Sequence, residues 1–282
     1  MQVSNINYIK KLLLVALFIF CKITSHCKVI TTTDFATKIF IDLKWEEFLM
    51  GECGAGKNTF KNIQKLSEGL INSEQLYEFK PDFIIGREGI FRKDRLGTEK
   101  ELKKIGITPL IFYSSGNDSN LENFYQDLEK IGIVLNKKND IDALITELKF
   151  QYELLPNKEK SQNAIFISSV SSTIGVVGSG GILNDLLKKT DIKNVIQEHK
   201  NYFKISWEDL LDKEIDIIFI LSQNFEDAKN KYHTLKQQEL LNKTKAIAND
   251  NVYFLEYSKV APDINFIKTI DSLNNNTLLK LY

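Results

Sequence analysis

Cysteine is scarce here, with three in 282 residues. Cys21 and Cys27 leave with an N-terminal leader or sit at its edge, so Cys53 stands alone and offers neither a disulfide framework nor metal-ligand spacing. Histidine is equally sparse: His26, His199 and His233. No Ser-His-Asp order, acid–base pair or metal-ligand cluster can be assembled from them, and catalysis is not indicated. The chain also lacks an excess of either charge, since 37 basic residues face 37 acidic ones. A nucleic-acid binder would show a basic excess or stripe, so the balance argues against that class. The apolar run from Leu12 to Phe20 is too short to span a bilayer, but behind Lys10 and Lys11 it suits the core of a secretory signal. Residues 1–27 are therefore expected to be a signal peptide or N-terminal anchor. Cys27 sits where a lipoprotein would be acylated, although the bulky His26 before it is atypical.

What the chain does have is a pattern stated twice. Glu74 stands eight residues before Asp82, and Glu208 stands eight residues before Asp216. In each copy Ser73 or Ser206 precedes a short amphipathic run, and the aspartate then opens a burst of Phe and Ile that reads as a buried parallel strand. Each copy also has a matching start, KVITTTDFATKIF from Lys28 and AIFISSVSSTIGVVGSGGILNDLL from Ala164, read as strand, polar loop and helix. The pattern predicts an α/β protein of two Rossmann-like lobes with mainly parallel sheets, and a ligand crevice between them at the strands' carboxyl ends. The boundaries are 28–119 for the first lobe, 120–162 for a connecting helical segment and 163–282 for the second lobe. Within the connector, Ile141 to Leu155 reads as one long helix capped by Asn139 or Asp140, a stiff link that leaves little hinge motion.

The stretch GECGAGKN at 51–58 nearly matches a phosphate-binding loop, but Asn58 replaces the hydroxyl that would hold magnesium. An α/β nucleotide-binding enzyme using this loop is the alternative from another class.

The segments 28–51, EQLYEFKPDFIIG at 74–86, GITPLIFY at 106–113, GGILNDLLKKTDIKNV at 180–195, ISWEDLLDKEIDIIFIL at 205–221 and NVYFLEYSKVAP at 251–262 carry a resemblance. In order and spacing the chain resembles the substrate-binding proteins of ABC importers for iron–siderophore complexes, haem and cobalamin. It departs from their pattern at Asp34, at Ile215 and in its long 86–98 loop. The resemblance implies a monomeric, non-enzymatic protein without a resident cofactor, exported and associated with the membrane at most through its N-terminal segment. Its partners would be a permease, its ATPase and a metal chelate, with a ferric siderophore favoured over haem and cobalamin.

The same resemblance gives roles to residues. Glu74 and Glu208 would bind arginines of the permease, although an acid in a helix's first turn is also favoured by capping and the helix dipole. Arg87 would hold an anionic ligand, or else pair with Glu88, Asp94 or Glu99 on the surface. Tyr202 and Tyr257 would face the ligand and, with His199, are the axial candidates should it be haem. Thr33, Asp34 and Ser169 lie in the loops after the first strand of each lobe, where hydroxyls can bind ligand or simply cap turns. The glycines at 175, 178, 180 and 181 read as a tight turn. Trp45 and Trp207 sit in helical contexts, not in a cleft lining.

Overall fold

The computed structural model describes residues 27–53, 60–116, 119–238, 244–275 and 277–281. Residues 1–26 and residues 54–58 of the near-phosphate loop, with Lys57 and Asn58, lie outside that set. The first lobe runs β1 (Val29–Thr31), α1 (Asp34–Asp42), β2 (Leu49–Cys53), β3 (Lys65–Ser67), α2 (Ser73–Phe79), β4 (Phe83–Gly86), α3 (Glu99–Lys104) and β5 (Thr108–Ile111). Two helices follow, α4 (Leu121–Val134) and α5 (Lys138–Leu154). The second lobe runs β6 (Gln162–Val170), β7 (Ile174–Val177), α6 (Ile182–Leu187), β8 (Ile192–Asn194), β9 (Tyr202–Ile205), β10 (Ile217–Ser222), α7 (Phe225–Lys236), α8 (Lys245–Ala248), β11 (Val252–Glu256) and α9 (Phe266–Asn274).

Both sheets follow one plan. The first has the order β3-β2-β1-β4-β5 and the second β11-β10-β6-β7-β9, with β8 pairing β6. In each, the lobe's opening strand is flanked by the strand that follows the repeated aspartate. That aspartate works identically in both copies. Asp82 accepts the N–H of Lys28 at 2.8 Å while its own N–H donates to the Lys28 carbonyl at 2.8 Å. Asp216 accepts the N–H of Asn163 at 2.9 Å and donates back to its carbonyl at 2.8 Å. Each Asp thus pins the register of a central strand pair near its start.

The lobes differ on the other side of the opening strand. The first sheet is parallel throughout, whereas β6 turns back through a bulged hairpin into the antiparallel β7, which pairs antiparallel with β9. The polar loop expected after β6 is therefore a hairpin, and the expected glycine turn is divided between strand and loop. Gly175 lies inside β7, and a Cβ there would fall 2.3 Å from Ser169 Oγ. Gly178 is packed against backbone, since a Cβ would meet the Glu198 carbonyl at 2.4 Å and that of Lys200 at 2.6 Å. Only a bare backbone lets 178–180 lie against 198–201, where three N–H···O bonds join the segments.

Helix starts also correct the expectations. Asn72, not Ser73, caps α2, in a reciprocal pair with Gln75. Residue 137 flanks α5, so Asn139 and Asp140 fall in its first turn. Glu208 opens a single 3₁₀ turn, Glu208–Leu210, not an amphipathic helix, and Ser206 bonds to Asp209 through both its N–H and its hydroxyl.

The lobes share a core. Phe124, Leu128 and Ile131 of α4 and Ile141, Ile145 and Leu148 of α5 form one cluster with Ile85 and Phe112 of the first lobe and with Ile182, Leu186, Phe266 and Ile270 of the second. Polar bonds cross the same seam. Asp185 accepts the N–H of Leu121 at 2.8 Å, the Tyr152 hydroxyl donates to the Asp185 carbonyl at 2.8 Å, and Lys38 reaches Asp263 at 3.2 Å. Close-packed interiors resist sliding, so the seam holds the two sheets at a fixed spacing. Trp45 and Trp207 are buried in the first and second cores.

Candidate functional site

Three loops at strand carboxyl ends and one strand start define the groove between the lobes. On the first lobe, Gly86 ends β4 so tightly against its surroundings that a Cβ would sit 2.3 Å from both Thr32 Oγ1 and Ile90 Cδ1. The next residue, Arg87, is exposed and extends its guanidinium over the ring of Phe35, 5.8 Å from the centroid. Phe35 lies in the first turn of α1 and in turn packs on Phe112, with centroids 5.9 Å apart. Arg87 therefore lies over one ring of a buried aromatic pair.

On the second lobe, Tyr202 opens β9 and Tyr257 follows β11, strands at opposite ends of the sheet. Their rings meet above its middle, with centroids 6.4 Å apart, and the Tyr257 hydroxyl donates to the Ser168 carbonyl at 2.6 Å. Lys231 of α7 lies 5.4 Å from the Tyr257 ring centre while tied to Asp227 at 3.0 Å and to the Leu221 carbonyl. Tyr202 is 42% exposed. Yet protein crowds it enough that burial pushes its phenol up to about 12, with Tyr257 adding to the rise and the Arg87 guanidinium opposing it. Water access combined with desolvation is what a side chain inside a concave groove experiences. Burial, then the Asp227 charge, also raises Tyr257.

The structure thus joins Tyr202 and Tyr257 on the second lobe, and Tyr202 lies within the electrostatic reach of Arg87 on the first. Thr33 precedes α1, and its hydroxyl is buried without a hydrogen-bond partner, while Asp34 is exposed at the start of that helix. A buried hydroxyl left unpaired carries a standing cost, which a ligand oxygen at this helix start would relieve. The Ser169 hydroxyl is not in this group: it fills the space over Gly175. The second lobe instead contributes the neighbouring Ser168, through its carbonyl. His199 is exposed in the loop before β9. Sequence reasoning missed Phe35, although it lies two residues beyond Thr33, and missed Lys231, for which no sequence signal exists. Glu74 and Glu208 are both exposed, in the first turn of α2 and of the 3₁₀ turn.

Removing the Arg87 charge should raise the Tyr202 phenol further, because a cation beside a phenol stabilises its charged form. Alkaline titration of carbon-labelled tyrosine by NMR, assigned with Tyr202→Phe, should show this in Arg87→Ala. An unmoved Tyr202 would place the two groups in separate environments.

Other chemistry is thin among the described residues. No group of three or more His, Cys, Asp or Glu is arranged to hold a metal, and no helix is long and apolar enough to cross a membrane. Residues 49–53, at the start of the near-phosphate loop, form β2, and residues 60–64 are irregular before β3. Among the described residues 60–64, no helix is present to receive a phosphate. Burial raises the Cys53 thiol to about 11. A cavity of about 490 Å³ lies at the seam, but its Lys149, Lys188 and Lys189 are already engaged by Glu122, Asp185 and the Leu155 carbonyl.

The profile of the periplasmic binding protein family matches residues 41–258, and the chain belongs to that family. Among curated proteins, none matches it at a significant level. Solved structures share the fold. A periplasmic binding protein of Veillonella parvula superposes with a TM-score of 0.76 at 17% identity, covering 88% of this chain and 89% of that one. The periplasmic haem-binding protein HutB of Vibrio cholerae gives 0.73 at 15%, covering 90% and 99%. An ABC-type Fe3+-hydroxamate transport protein of Saccharomonospora viridis gives 0.72 at 15%, covering 89% and 93%.

Proposed function

We propose that this protein is the extracytoplasmic capture component of an ABC importer and holds a ferric chelate, foremost a siderophore complex, between its lobes. The observation that carries this reading is the Tyr202–Tyr257 ring pair on one lobe with the Arg87 guanidinium on the other close enough for its charge to act on Tyr202. A guanidinium near a pair of aromatic rings suits a bulky anionic chelate: charge-assisted hydrogen bonds from one side, apolar contact from the other. The two iron-related structures with this fold support the choice of ligand class. Haem is the second reading, with Tyr202 as the axial candidate: burial raises its phenol, and the Arg87 charge opposes part of that rise. Cobalamin is third, since both tryptophans are spent in the cores. Export through the N-terminal segment is part of the proposal. The half-buried Cys27 packs on the first core with its thiol 3.7 Å from the Val134 carbonyl, so acylation there would require it to leave that seat.

Titrating the purified protein with a ferric hydroxamate, a ferric catecholate, haemin and cyanocobalamin, followed by fluorescence quenching and the Soret band, tests the reading. Binding of a ferric siderophore is expected; failure of all four would reject it. Glu74→Ala with Glu208→Ala should leave that binding unchanged yet reduce uptake several-fold, with the deficit depending on ionic strength, because exposed charge pairs govern encounter and orientation. Normal transport by the double variant would remove the docking role from these glutamates.

A further inference from the structure

We propose that each docking glutamate belongs to a composite patch whose second member is an exposed apolar anchor: Tyr77 beside Glu74, and Leu211 beside Glu208. The inference rests on the importer reading above. The two copies read Glu-Gln-Leu-Tyr at 74–77 and Glu-Asp-Leu-Leu at 208–211. In both, the third residue, Leu76 or Leu210, is buried in its lobe's core and moors the turn. In both, the fourth is a large apolar side chain left in water, with Tyr77 59% and Leu211 58% exposed. On α2, positions three apart share a face. In the 3₁₀ turn they eclipse, and the Leu211 N–H donates to the Glu208 carbonyl at 3.1 Å to close it.

Single exposed apolar residues are ordinary on protein surfaces. The same offset from the same acid, in the corresponding place of both lobes, is not explained that way. The charge around the patches agrees. Residues 72–79 carry Glu74 and Glu78 with no cation, and residues 206–214 carry Glu208, Asp209, Asp212 and Glu214 against Lys213 alone, in a chain that is neutral overall. The fitting occupant is a membrane subunit that offers a basic side chain set in apolar surface, twice over. In such contacts the charges steer and orient, while the desolvated apolar anchors hold the complex together.

The test uses cells in which each variant is the only copy, supplied with limiting radioiron as ferric hydroxamate, ferric catecholate or haemin. Tyr77→Ser with Leu211→Ser should lower uptake about tenfold or more, the effect of truncating interface anchors. Its quenching titration and melting curve should match the native protein, and the loss should be equal at low and high salt. Tyr77→Phe with Leu211→Met should restore uptake. Should the serine pair transport normally while Glu74→Gln with Glu208→Gln is impaired, the composite patch is wrong and the docking reading stands. Normal transport by both pairs overturns the docking reading itself. Benzophenone side chains at 77 and 211 give a check independent of folding: crosslinks to a multi-span membrane subunit are expected from both positions, and their absence from both rejects the anchors.

Discussion

Asp127→Ala should destabilise the protein by about 3 kcal/mol, measured as a lowered urea midpoint. Asp127 is 0% exposed within α4. One carboxylate oxygen accepts the Ser114 N–H at 2.8 Å and the other accepts Lys130 Nζ at 2.7 Å. Lys130 also donates to the Ile111 carbonyl at 2.9 Å and sits 4.4 Å over the Tyr113 ring. Removing the carboxylate strands a buried N–H and leaves the ammonium without its counter-charge. Breaking such pairs costs about 3–5 kcal/mol, and the lower end applies because Lys130 is 32% exposed and can turn to water. Asp127→Asn keeps an acceptor for Ser114 and should lose less, about 1–2 kcal/mol. The consequence reaches the groove. The turn that Asp127 holds, Tyr113–Ser115, delivers the Gly116 carbonyl to Asn201 of the second lobe at 3.4 Å. An unchanged midpoint in the alanine variant would show that the turn is held by other means.

The architecture was legible because its strongest determinants are local and repeated. Asp82 and Asp216 each immediately precede a strand and each bond to the backbone beside the start of the neighbouring strand, at Lys28 and Asn163, so the same chemistry left the same spacing in the sequence. The strands that were missed carry no such signal. β2 contains Gly51 and Glu52 and β3 is three residues of mixed polarity, so neither shows the apolar run or alternation by which strands are read, while the apolar β7 is only four residues long and broken by Gly175. Their pairing is decided by partners far along the chain, such as Phe203 opposite Val176. The candidate site could be named residue by residue from the sequence but not assembled. Arg87, Tyr202 and Tyr257 follow from position relative to strands, but nothing local says that two tyrosines from opposite ends of a sheet touch. Ser169 lies apart from the others because a bulge between Ile167 and Ser169 breaks the strand alternation, and the hydroxyls of both Ser168 and Ser169 lie over Gly175.

Arg87→Ala should weaken binding of an anionic ferric siderophore by about 1.5–3 kcal/mol, roughly 10- to 150-fold in Kd, the range for a hydrogen bond to a charged group. Arg87→Lys should recover only part of this loss, because an ammonium keeps the charge but not the planar fork or the stacking on Phe35. The pH dependence separates the two ligand readings. Where Arg87 acts directly on an anionic chelate, the deficit of Arg87→Ala is flat across the neutral range, since the guanidinium does not titrate there. Where the ligand is haem held by Tyr202, the cation acts through the phenol: its loss raises the Tyr202 pKa, less phenolate is available to iron, and the deficit shrinks as pH rises. Titrations with a ferric catecholate and with haemin at several pH values read this directly. A siderophore affinity unchanged by Arg87→Ala, together with a haemin Soret shift that disappears in Tyr202→Phe, would move the ligand from siderophore to haem. Unchanged affinity for both ligands would mean that Arg87 faces the groove without contacting what fills it.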